Sequence, residues 1–219
     1  MKISSKQEEK PMKIFRRTFF AAAFAILLMS SSAYAADITL PSPERNGGPG
    51  VLSAIEERGS AKASSFAKYE LSTKELSTLL WAATGKNRGG TGWTVPFAMG
   101  TSPYVFVYVL LENGSYIYDP DKNMLKMLGD RNMISRAGRQ EFIATAPAVF
   151  VLATRGGGPR IDRWAEIAAG AMSQNVYLAA QAFGLKTRFV QSFNRDTLAN
   201  TLQMGPLERI LCIMPVGRQ

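Results

Sequence analysis

The chain contains no histidine and only one cysteine among its 219 residues. The first absence excludes Ser-His-Asp and Cys-His nucleophile arrangements and most zinc sites. The second excludes any disulfide within the chain. Cys212 sits in an apolar run from Ile210 to Val216, where it reads as a small buried hydrophobe ahead of a nucleophile. Acidic residues are few, 17 against 26 Lys and Arg. An enzyme built from these residues would most easily let a bound cofactor supply the reactive atoms.

What is present begins with an address. Lys13, Arg16 and Arg17 form a basic stretch, Phe19 to Met29 an apolar run of eleven residues, and Ala33-Tyr34-Ala35 a small-residue cleavage pattern. Together they predict a secretory signal over residues 1–35, a mature chain from Ala36, and a periplasmic or secreted protein. A retained anchor is the alternative. The run falls short of the roughly 20 residues a spanning helix needs, so no stable transmembrane anchor is expected. The signal takes six basic and two acidic residues with it, lowering the net charge from +9 to +5. That mild excess suits an anionic or phosphorylated ligand and does not indicate nucleic acid binding.

The remainder fits one domain, expected over residues 51–219, preceded by an extended lead-in over 36–50 rich in Pro and Gly. Short helices are expected over Val51 to Arg58, with Leu52 and Ile55 on one face, and over Asp196 to Leu202. Ser72 with Glu75 three residues later fits a capping box for a helix presenting Leu76, Leu79, Leu80 and Ala83. Asn87 to Pro103 has no secure period. Strands are expected over Tyr104 to Leu111, Ser115 to Tyr118 after the Asn113-Gly114 turn, Met124 to Leu128, Ala148 to Ala153, Thr187 to Val190 and Arg209 to Val216. A helix is expected over Met133 to Phe142. A longer one, capped by Asp162, runs to about Phe183 and ends at Gly184. Its small residues Ala168, Ala169, Gly170, Ala171, Ala179, Ala180 and Ala182 fit either a tightly packed core helix or a subunit interface. The fold class is α+β, with helices around a central sheet.

Candidate chemistry is sparse. Arg58-Gly59-Ser60-Ala61-Lys62 places two cations and a hydroxyl within five residues, a set able to hold a phosphate. By itself it also reads as a solvated loop. Gly156-Gly157-Gly158 lacks the Lys-Ser/Thr ending and the strand-to-helix setting of a phosphate loop. Gln174-Asn175 is either a polar helix face or a buried amide pair tying elements together. Val190 to Asn194 leaves a strand with backbone N–H groups that could face a pocket.

Three segments carry a resemblance. Leu71-Ser72 through Glu75-Leu76 and Leu79-Leu80-Trp81-Ala82-Ala83 to Gly85 is the first. Gly170 through Gln174-Asn175, Leu178 and Ala180 to Gly184-Leu185 is the second, and Pro215-Val216-Gly217 the third. In this order the chain resembles the nitroreductase superfamily of flavin proteins, most nearly the thiazole- and oxazole-forming dehydrogenase branch with its small secreted members. The resemblance covers most of residues 48–218.

The resemblance implies a mostly antiparallel sheet surrounded by helices, an intertwined homodimer, and FMN in the groove between the chains. It implies electron transfer from a reduced donor, NAD(P)H in many members, to a nitro, quinone or heterocyclic acceptor. Arg58, Ser60 and Lys62 match the phosphate-binding run, and Gln191 and Ser192 match the segment whose backbone N–H faces the flavin ring edge. Arg218 matches a further phosphate-facing cation. The departures are Trp93, Phe97, Met99 and Gly100, which stand where the branch carries Arg, Ser, Arg and Asn. Ala168 replaces an acidic residue, and Ala63-Ser64-Ser65-Phe66 alters the run after the phosphate positions. These changes leave two readings: an FMN oxidoreductase with an apolar substrate face formed by Trp93, Phe97 and Met99, or a degenerate member acting as a binding or assembly module.

Overall fold

The computed structural model describes residues 36–98, 103–156 and 158–219. The segment 1–35 expected as a signal, Met99, Gly100 and Gly157 lie outside them. Nine strands and five α-helices are described. The strands are β1 (Ile38–Thr39), β2 (Lys86–Asn87), β3 (Gly92–Trp93), β4 (Val105–Leu111), β5 (Gly114–Asp119), β6 (Met124–Gly129), β7 (Ala148–Arg155), β8 (Lys186–Thr187) and β9 (Glu208–Gly217). The helices are α1 (Val51–Glu57), α2 (Thr73–Thr84), α3 (Ile134–Ala137), α4 (Pro159–Ala182) and α5 (Arg195–Thr201). Seven strands form one sheet in the order β1-β6-β5-β4-β7-β9-β8, every neighbouring pair antiparallel, while β2 and β3 form a separate hairpin. This is the α+β architecture expected.

The central strands explain their own sequence. Val105, Val107 and Val109 of β4 and Phe150 and Leu152 of β7 join a core shared with α2 and α4. Their alternates Tyr108, Leu110, Val149 and Val151 join a second core with α3 and α5. A strand buried on both faces reads as an unbroken apolar run, since successive side chains point to opposite sides. Cys212 is fully buried in the first core.

Local chemistry sets the boundaries that position the site. Ser72 and Glu75 form the expected reciprocal capping box of α2. α4 ends where Gly184 takes φ +64° and Leu185 N–H returns to Ala180 C=O at 2.9 Å, a Schellman closure. Its start differs from expectation. Gly158 is the N-cap and Pro159 opens the helix, so Asp162 lies in the first turn. Pro has no N–H to lose there, and its fixed φ suits the first position. The helix expected over Met133 to Phe142 also breaks. α3 ends at Gly138, whose extended backbone bridges Phe193, and a 3₁₀ turn follows over Glu141–Thr145. A continued helix would lose that bridge.

The lead-in is built into the fold: β1 adds an edge strand to β6, Leu40 is buried, and Ser77 Oγ donates to Pro41 C=O at 2.6 Å. Gly48, at φ +73°, lies where a Cβ would come within 2.8 Å of Ala182 Cβ, so the lead-in passes close to α4. No helix among the described residues is long and apolar enough to cross a membrane.

Candidate functional site

After α1 the chain turns extended at Arg58 and runs beside β8. Ser60 pairs with Thr187 in a parallel bridge, and Ala61 N–H donates to Thr187 C=O at 2.8 Å. Alternation along an extended backbone then sorts the side chains. Ala61 is buried against the second core, while Arg58, Ser60 and Lys62 are exposed. The row of two cations and a hydroxyl is therefore a product of local geometry: every second residue faces out.

Three neighbours hold that row. Tyr177, buried on α4, has its hydroxyl 3.0 Å from Ser60 Oγ and accepts from Phe189 N–H at 2.8 Å. The Arg58 guanidinium stacks over the Tyr177 ring, its Cζ 5.4 Å from the centroid, within cation–π range. The Gln219 amide brackets the far end. Its Oε1 accepts from Lys62 N–H at 2.7 Å, and its Nε2 donates to Lys62 C=O at 3.1 Å and to Ser64 C=O at 2.7 Å. Arg188 adds a further cation nearby, donating to Ala61 C=O at 3.3 Å.

Gln191 and Ser192 are exposed on the continuation of the same segment. Their backbone is pinned on both sides, by the Val190–Ile213 pair at 2.9 and 3.0 Å and by Asn194 N–H donating to Ala137 C=O at 3.1 Å. Gln140 Nε2 donates to Ser192 Oγ, and Gln140 Oε1 is buried without a hydrogen-bond partner among the described residues. The Arg218 side chain is engaged by other residues. Its guanidinium stacks on Tyr69 at 3.9 Å, donates to the Tyr69 hydroxyl at 3.1 Å and stands 3.8 Å from the Glu75 carboxylate.

The segment that departs from the family pattern is partly interior. Phe97 is buried in the first core and meets Trp93 and Tyr104 edge-on, at 6.1 and 5.3 Å between ring centroids. Trp93 is partly exposed, with Lys86 Nζ 5.5 Å above its ring. Phe97 thus supports the loop from within the core, and of the expected apolar face Trp93 is the described residue that remains open. Asn175 fastens this loop to the helices, donating from Nδ2 to Ala82 C=O at 3.0 Å and Thr94 C=O at 3.1 Å, while Gln174 faces solvent.

Burial pushes the Cys212 thiol up to about 12, so it remains protonated and is no nucleophile. No cluster of acidic or sulfur ligands among the described residues suits a metal. Two grooves of about 890 and 880 Å³ lie elsewhere, one between residues 67–73 and the β4–β5 turn, the other along residues 195–210. Neither is lined by Arg58, Ser60, Lys62, Gln191 or Ser192. The row is an open edge of the single chain. Sequence reasoning missed Tyr177, Arg188, Gln140 and Gln219 as neighbours of the site. For Tyr177 a signal existed: a large polar ring among the small residues of α4.

Comparison with known proteins gives this arrangement its context. A protein of Methanocaldococcus jannaschii named as a nitroreductase is 35% identical over 169 residues, covering 70% of this chain and 84% of its own. A crystal structure from Ralstonia eutropha, also named as a nitroreductase, is 33% identical with a TM-score of 0.77, covering 84% of this chain and 90% of that one. At 19% identity the same fold occurs in the Escherichia coli microcin synthetase complex, with a TM-score of 0.64 over 93% of this chain and 85% of that one. Residues 55–218 match the nitroreductase family, and with these relatives they place the chain in that family of flavin-type oxidoreductases.

Proposed function

We propose that the protein is an FMN-dependent oxidoreductase passing electrons between a reduced donor and a small organic acceptor of nitro, quinone or heterocycle type. The observation that carries this reading is the outward row of Arg58, Ser60 and Lys62, held between Tyr177, Thr187 and Gln219. Two cations and a hydroxyl on one extended edge fit a phosphate dianion: Arg58 offers a planar fork, Lys62 a point charge and Ser60 a single donor. Gln191 and Ser192 continue the edge on pinned backbone, which suits the polar rim of a flavin ring. Arg218 would join the phosphate only by leaving Tyr69 and Glu75. Bound FMN would supply the electron chemistry, which is why a chain without histidine suffices.

The reading extends to a homodimer whose second chain closes the open edge, and to export with signal cleavage near Ala35. Residues 36–50 are its lead-in and 51–219 its single domain. Outside the cytoplasm NAD(P)H is scarce, so a quinol or a protein donor fits better there than the nicotinamide used by many relatives. The heterocycle option follows from the likeness to the thiazole- and oxazole-forming branch.

The test is direct. The purified protein, supplied with FMN at micromolar concentration, is expected to be yellow with a flavin absorbance band and to bleach with a chemical reductant. Arg58→Ala is expected to weaken FMN binding about ten- to a hundredfold, the loss of a charge-assisted bidentate contact. A colourless protein would sink the enzyme reading and favour the binding-module alternative. Unchanged affinity in Arg58→Ala would reject the phosphate assignment.

A further inference from the structure

We propose that Tyr177 is the positioning residue of the phosphate end, fixing the direction of the Ser60 hydroxyl and the place of the Arg58 guanidinium together. The inference rests on the FMN reading above and goes beyond it to a residue that touches no ligand itself.

The hydrogen-bond order follows from what each group can do. Phe189 N–H only donates, and it donates to the Tyr177 oxygen at 2.8 Å. Tyr177 Oη lies 3.0 Å from Ser60 Oγ, where either oxygen can be the donor. A phenol is the stronger donor of the two, and accepting the amide proton strengthens its O–H further. The relay therefore runs from Phe189 N–H to Tyr177, and from Tyr177 O–H to Ser60. Ser60 accepts, and its own proton is directed outward, the polarity an anion requires. Reversing the relay would turn a lone pair of Ser60 toward the phosphate.

The same ring acts on Arg58. The guanidinium lies 5.4 Å from the Tyr177 centroid, and the residue is otherwise exposed on a long flexible stem. Stacking limits the rotamers the side chain must give up on binding, so less of the contact is lost to entropy. Tyr177 is itself buried on α4, so its position is set by the core and passed to both ligand-facing groups.

FMN and riboflavin differ by the phosphate, so the ratio of their dissociation constants isolates this end of the site. Both are measured by flavin fluorescence on the full-length wild-type protein, Tyr177→Phe, Ser60→Ala and the double variant. Wild type is expected to prefer FMN. Tyr177→Phe keeps the ring and loses the relay, so the FMN constant rises about fivefold, the worth of one hydrogen bond, with riboflavin unchanged. The Phe189 N–H left without its acceptor lowers the melting temperature, a loss of stability that leaves the ratio of the two constants unchanged. In the Ser60→Ala background Tyr177→Phe is expected to add nothing for FMN, because the relay no longer has an end.

An equal rise for both flavins in Tyr177→Phe would overturn the proposal, as would a full effect persisting without Ser60. If Tyr177→Phe fails to fold, Ser60→Ala on the exposed edge still decides: an unchanged preference for FMN rejects the relay. A wild type that binds flavin without preferring FMN would instead overturn the phosphate reading, and the relay with it.

Discussion

Glu75 is a buried carboxylate at the first turn of α2, accepting at 2.8 Å from Ser72 N–H, the Ser72 hydroxyl and the Tyr69 hydroxyl. Burial alone would raise its pKa, but these donors and the Arg218 charge outweigh it and hold the group below the usual carboxylate range. A carboxyl depressed on folding contributes stability that is present above its unfolded pKa and lost as pH falls through the folded one. Thermal melting from pH 7 down to pH 3 should therefore show a loss below about pH 4.5 that is smaller in Glu75→Gln. The variant should be less stable by about 1–2 kcal/mol at pH 7, the range for losing a cap and a charged acceptor. Equal acid sensitivity in both proteins would show that Glu75 is not the group responsible. Glu75→Gln also removes the ion-pair partner of Arg218, which keeps its stacking and hydrogen bond to Tyr69.

Among the elements, α2, α4 and the loop after β3 are joined by Asn175. Its amide satisfies Ala82 C=O, one of the last four carbonyls of α2 that have no partner within the helix, and Thr94 C=O besides. Asn175→Ala should cost about 1–3 kcal/mol in urea unfolding with an unchanged slope, because partly buried carbonyls lose their donor. A cost below about 0.5 kcal/mol, typical of a surface change, would mean water replaces the amide freely. This tie was half legible in the sequence: Gln174-Asn175 stood out as an amide pair, but only Asn175 turned inward. The strands β4, β7 and β9 were legible because burial on both faces leaves no polar interruption. The β2–β3 hairpin was not, since two residues per strand carry no period. α3 was overestimated because its bridge from Gly138 to Phe193 is a contact 55 residues away in the chain, invisible to local propensity. The start of α4 was misplaced because Asp162 has the residue type of a cap while Pro159 holds the position. The spacing of Arg58, Ser60 and Lys62 was readable as a pattern, but its meaning depends on Thr187 and Tyr177, which only the folded chain brings beside it.

At the scale of the whole molecule, the open edge adjoins the exposed apolar face of α1. α1 buries only Ala54, leaving Val51, Leu52 and Ile55 exposed at 65%, 78% and 51%, and it runs directly into Arg58. α1 packs against the C-terminal half of α4, where Glu57 meets Gln181 and Arg58 meets Tyr177. A short helix keeps such a face out of water only when another surface covers it. A second copy of the chain over α1 would cover it and turn the Arg58 edge into the wall of a groove, which is the arrangement the proposed FMN site requires. Leu52→Asp should then shift the protein from dimer to monomer in sedimentation or light scattering at micromolar concentration, and FMN affinity should fall with the dimer fraction. Because Leu52 lies away from the chain's own core, the variant monomer should retain its secondary structure by circular dichroism. A dimer that survives Leu52→Asp would place the interface elsewhere. A monomeric variant with unchanged FMN affinity would show that one chain holds the cofactor alone, and the open edge would then be the complete phosphate site.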